Sequence, residues 1–99
     1  MIGLRGLVLN IKTHECTLNE KPLALTPMEF GILTILCRNP GSTVSSEALF
    51  HGVWGEEHYS KNNNTITVHI RHLREKMGDS FECPKYIKTV WGVGYKIEN

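Results

Sequence analysis

Three short, largely apolar runs near the start of the chain read as extended: Leu7-Val8-Leu9-Asn10-Ile11, Glu15-Cys16-Thr17-Leu18 and Pro22-Leu23-Ala24-Leu25. Turn-forming residues at 12–14 and 19–21 separate them, and the spacing predicts a small antiparallel meander. The period then changes. Thr26-Pro27-Met28-Glu29 sets a hydroxyl at an N-cap, a proline at the first helical position and a glutamate three residues past the cap, so that side chains and backbone amides satisfy one another. Phe30, Leu33, Leu36 and Cys37 follow at helical intervals until Asn39-Pro40-Gly41, which predicts a first helix over about 27–38.

Val44-Ser45-Ser46-Glu47 repeats the signal, with Ser45 as cap and Val44 as the apolar staple before it. Leu49, Phe50, Val53 and Trp54 give this second, short helix its apolar face, and Gly55 ends it. The stretch 62–77 is rich in β-branched residues, yet Ile66, Ile70, Leu73 and Met77 recur at i, i+4, i+7 and i+11, which only a helix buries together. Gly78 closes this third helix, with Lys76 near its negative end. Residues 86–97 read as two strands joined by a glycine-containing turn.

At 99 residues the chain suits one domain with a single core and no roomy substrate cavity. No apolar run approaches the roughly 18 residues of a membrane span, so no membrane association is expected. The first residues lack the basic and apolar regions of a signal peptide, and Cys16, Cys37 and Cys83 are too few and too scattered for a disulfide framework. A cytoplasmic, reducing setting is the expectation. The net charge is only +1, but it is unevenly spread. Residues 1–60 carry four basic and six acidic side chains, whereas 61–99 carry seven basic and four acidic. That asymmetry places a basic end on the third helix and the hairpin.

Opposite the apolar stripe, the third helix presents Asn64, Val68, Arg71, His72 and Glu75, flanked by Thr65 and His69 on one side and Thr67 and Arg74 on the other. A donor fork, adaptable hydrogen-bonders and a small apolar group on one face suit reading of the DNA major groove. Two helices, then a basic hairpin, is the order of a winged helix-turn-helix, an α+β fold. Here that means an N-terminal antiparallel β-meander, three helices and a C-terminal β-hairpin wing.

At these residues the chain resembles the DNA-binding effector domain of OmpR/PhoB-type response regulators. The matching stretches are Leu25-Thr26-Pro27-Met28-Glu29-Phe30, Val53-Trp54-Gly55, 65–76 and Thr89-Val90-Trp91-Gly92-Val93-Gly94-Tyr95. The resemblance implies a recognition helix, 62–77, in the major groove and a wing, 86–97, near the minor groove. It implies DNA contacts by Thr65, Val68, His69, Arg74 and Thr89, to which the residue reading adds Asn64, Arg71, His72, Lys76, Lys88 and Trp91. Asn64, His72 and Trp91 stand where many members carry arginine. Arg74 is expected to meet phosphate and His72 the groove floor, while the Trp91 indole is expected to pack on the wing's own strands. Trp54 is expected in the core, with the resemblance bringing its edge towards a phosphate.

The resemblance further implies promoter DNA with tandem half-sites as partner, and an RNA polymerase contact through Glu56, Glu57, His58 and Tyr59 in the loop 55–61. It also implies a receiver domain outside these residues, a cognate sensor histidine kinase, and a monomer that dimerises on DNA. The alternative is a protein-interaction module that touches polymerase through this loop without reading DNA sequence. No enzyme is expected, since no nucleophile–base set emerges from the spacing. Neither a cofactor nor a metal is expected. Gly92-x-Gly94 lacks the context of a nucleotide loop, and neither His69 with His72 nor His14 with Cys16 is completed into a ligand set.

Overall fold

The computed structural model describes residues 2–55, 64–79 and 84–98. Four antiparallel strands open the chain, β1 (Ile2–Leu4), β2 (Leu7–Asn10), β3 (Glu15–Leu18) and β4 (Lys21–Leu23), hydrogen-bonded in that order. The meander therefore has one strand more than predicted. Ile2-Gly3-Leu4 is too short to show alternation. It becomes a strand because Arg5 and Gly6, at φ 50° and 86°, fold it back with Leu4 opposite Leu7. Positive φ at both central residues has the twist that suits a two-residue hairpin, and Asn19 and Glu20 repeat it between β3 and β4. β4 also stops at Leu23, two residues before the predicted end, as the chain turns towards the cap of the next helix.

That helix, α1 (Pro27–Arg38), is opened by the predicted capping box. The Glu29 amide donates to Thr26 Oγ1 at 3.2 Å and the Thr26 amide to Glu29 Oε1 at 3.0 Å. Ile32, Leu33 and Leu36 are completely buried, a gain of about 1.5–3 kcal/mol each. They share one core with Leu7 and Leu9 of β2 and with the buried apolar residues of the other two helices. His14, in the β2–β3 turn, stacks on Phe30 at 4.9 Å and fastens the meander to α1.

β5 (Val44–Ser45) was not predicted, because two residues carry no period. Ser45 is both its last residue and the N-cap of α2 (Ser46–Trp54), its Oγ accepting from the Ala48 amide at 3.0 Å. The strand exists because it pairs with the wing: β6 (Ile87–Val90) and β7 (Gly94–Ile97) form a hairpin, and the sheet order is β5-β7-β6. A side chain at 94 would collide with the Val44 carbonyl oxygen and reach within 2.7 Å of Ser45 Cα, so this pairing needs glycine there.

α3 (Thr65–Met77) starts later than the predicted 62: Asn64 lies outside it, at φ −95° and ψ 21°, and its side chain does not bond to the first turn. Residues 62 and 63 lie outside the described residues. Ile66, Ile70, Leu73 and Met77 enter the core as the stripe predicted, and the helix ends where Gly78 turns left-handed at φ 67°. Among the described residues no helix is long and apolar enough to cross a membrane.

Candidate nucleic-acid interface

α3 is anchored by its core stripe, so its opposite face is fixed in space. Asn64, Thr67, Arg71 and Glu75 are exposed along it, with Val68 half-buried beside them. Arg71 makes no ion pair with any described residue, and its exposed guanidinium carries five N–H donors in a planar fork. Towards α2, the His69 ring lies 5.5 Å from that of Trp54, which itself stacks on Phe50 at 5.1 Å. Trp54 is thus half-buried against the core, as predicted. His69 Nδ1 is sealed from solvent without a hydrogen bond among the described residues.

Arg74 is not on an open flank as predicted. It is only 7% exposed, and its guanidinium points into the wing. Nε and Nη2 both donate to the Ile87 carbonyl, at 3.2 and 2.8 Å, and Nη2 also donates to Thr89 Oγ1 at 2.8 Å. The reason is register: Arg74 falls four residues after Ile70 and one after Leu73, at the margin of the buried stripe. Burial pulls the guanidinium pKa down, while Asp79 and Tyr95 oppose the shift.

Asp79, just past the end of α3, completes this junction. Its carboxylate accepts the amides of Lys85, Tyr86 and Ile87 at 2.6, 3.2 and 2.9 Å. Tyr95, beneath Arg74, brings its hydroxyl to 3.5 Å from Thr67 Oγ1. Helix and wing are therefore held as one piece. Between them runs a groove of about 500 Å³ lined by Thr67, Arg71, Arg74, Thr89, Trp91 and their neighbours. Neither Asp79 nor Tyr95 stood out in the sequence, where Asp79 reads as a polar residue after a helix-ending glycine.

Two more basic side chains are engaged elsewhere than predicted. Lys76 Nζ lies 2.6 Å from Glu29 Oε1, and His72 Nδ1 lies 3.8 Å from Glu29 Oε2. Both side chains therefore lean towards the start of α1 instead of out over the face that carries Arg71. Burial opposes the charge on Glu29, which is 2% exposed, but Lys76, the Thr26 amide and His69 outweigh it. The carboxyl is held below its ordinary range. Lys88 is also turned away, since it alternates with Thr89 along β6. Its Nζ is 2.9 Å from Glu98, which Lys96 approaches from the paired position at 3.2 Å. The basic end counted in the sequence is thus partly neutralised from within.

Trp91 departs most from expectation. Instead of being buried on the wing strands it is 78% exposed at the hairpin tip, because the turn 91–93 carries it past the end of the paired region. The predicted loop residues Glu56, Glu57, His58 and Tyr59 lie outside the described residues. Among the described residues no group of three or more His, Cys, Asp or Glu is placed to hold a metal ion.

Comparison with known proteins agrees with this geometry. Residues 20–97 match the family described as transcriptional regulatory protein, C terminal. The chain is 73% identical to the regulatory protein VanR of Enterococcus faecium over 94% of its own length, but over only 40% of that relative. The DNA-binding domain of CpxR from Escherichia coli superposes with a TM-score of 0.87 at 32% identity, covering 99% of this chain and 95% of that one. The DNA-binding domain of RstA from Klebsiella pneumoniae, solved in complex with the RstA box, superposes with a TM-score of 0.88 at 26% identity, covering 99% and 94%.

Proposed function

Because the chain belongs to the family of transcriptional regulatory protein C-terminal domains, of the OmpR/PhoB type its motifs resemble, we propose that it reads double-stranded promoter DNA as the effector part of a two-component regulator. The observation that carries this reading is the exposed face of α3, with Arg71 solvent-facing between Asn64, Thr67 and Val68, joined to the wing across a groove. In the major groove Arg71 offers bidentate donors to guanine, Asn64 and Thr67 offer mixed hydrogen bonding, and Val68 matches a thymine methyl. Thr65 and His69 flank that face, near the backbone that borders the groove. Arg74, Lys76, His72 and Lys88 act from behind it, shaping the surface through Thr89, Glu29 and Glu98, and reach phosphate only at the cost of these bonds.

The chain spans about two-fifths of the length of VanR, so a receiver domain, its sensor kinase, dimerisation on tandem half-sites and an RNA polymerase contact through 55–61 belong to the full-length protein in this proposal. Identity to VanR supports vancomycin-resistance promoters as the targets. The test is a duplex titration with the 99-residue chain at several salt concentrations. Logarithmic affinity should fall linearly with logarithmic salt, with a slope reporting the few phosphates engaged. No duplex binding at low salt and high protein concentration would reject the proposal.

A further inference from the structure

Two of the three large apolar side chains exposed among the described residues, Trp91 at 78% and Val93 at 55%, sit together at the tip of the wing. The third, Met28, belongs to α1. A solvated indole on so small a domain is unfavourable unless something covers it. Its position says what does so. Trp91 lines the same groove as Thr67, Arg71 and Arg74 of α3. With α3 in a major groove, the bordering sugar-phosphate strand lies along that groove, and a group beyond the strand faces the adjoining minor groove.

The tip is also braced. The Val93 amide donates to the Val90 carbonyl at 3.0 Å, closing the turn, and Arg74 fixes Thr89 two residues before the indole. A braced apolar group can press between base pairs, where a loose one would fold back. We infer that Trp91, backed by Val93, is an uncharged minor-groove wedge that selects DNA by how easily a flanking step unstacks. This rests on the DNA-binding reading above. Pyrimidine–purine steps such as TA and CA open readily, whereas A-tracts are stiff and favour an inserted cation. Trp91 thus confers selectivity without adding a charge to the interface.

The experiment uses the 99-residue chain and duplexes holding one selected half-site, with either a TA step or an A-tract in the flank that the wing reaches. A 2-aminopurine at that step reports unstacking. The wild type should prefer the TA flank by about tenfold and raise the 2-aminopurine fluorescence. Trp91→Ala should lose both effects while keeping the thermal midpoint and the salt slope. Trp91→Arg should steepen the slope by about one charge and move the preference to the A-tract.

Equal binding to both flanks by wild type and Trp91→Ala overturns the wedge and leaves DNA binding standing. So does a Trp91→Ala defect confined to duplexes with two half-sites, which would seat the indole on a neighbouring copy of the chain. Absence of any duplex binding by the wild type would instead remove the reading on which the wedge rests.

Discussion

Arg71 and Arg74 stand three positions apart on one helix and serve opposite ends. Arg71 is exposed and makes no ion pair among the described residues, so Arg71→Ala should leave the thermal midpoint within about a degree or two, as surface changes do. It should cost about 1–3 kcal/mol on the best duplex and relax preference at one base pair, read by comparing point-substituted duplexes. Arg74→Ala strips the Ile87 carbonyl and Thr89 of their donor in a buried place. A loss of about 1–3 kcal/mol of stability is expected, a fall in midpoint of several degrees for a domain of this size. Calorimetry separates the two variants. Glu29 adds a pH dependence: its ordinary value is 4.5 and the folded value is lower, so its contribution is full above 4.5. It is lost as pH falls through the folded value. Glu29→Gln should therefore reduce stability at neutral pH, and the difference from wild type should shrink in acid. A constant difference down to the acid limit would show that Glu29 acts only through shape. The pairing of Glu29 with Lys76 spans 47 positions and was beyond sequence reasoning, whereas the burial of Arg74 was within reach of the helical period.

At the scale of elements, the junction between α3 and the wing is the feature on which the site depends. Asp79 holds three successive amides at the entry to β6, and Gly94 lets β7 press against β5. Asp79→Ala should cost about 2 kcal/mol and speed amide exchange at 85–87 more than in the meander, seen by hydrogen-exchange NMR. Gly94→Ala should be worse, since its methyl meets backbone and not a flexible side chain. A variant as stable as the wild type would mean that β5 and β7 part without penalty. The three helices were legible in advance because capping residues and a sustained 3.6-residue period mark them locally. β1 and β5 were not, because strands of three and two residues exist only through their partners. The wing strands were legible, but the position of Trp91 beyond them was not: hydrophobicity alone argued for packing, and the turn geometry decided otherwise.

For the whole molecule, the meander, the core and the junction serve to hold one helix face and one hairpin tip in fixed relation. In the proposed reading dimerisation belongs to the full-length protein, and the 99-residue chain meets tandem half-sites one copy at a time. Occupancy of tandem half-sites should therefore rise more steeply with concentration than occupancy of one, and a fused dimeriser should remove the difference. In the proposed reading the exposed face of α3 reads base sequence. Selection from random duplexes, run side by side with the 99-residue chain and its Arg71→Ala variant, tests it most directly. A reader of bases enriches one short motif, and the variant loses preference at one or two positions within it while keeping the rest. Equal recovery of all duplexes by the wild type, or an identical motif from both proteins, would contradict the claim.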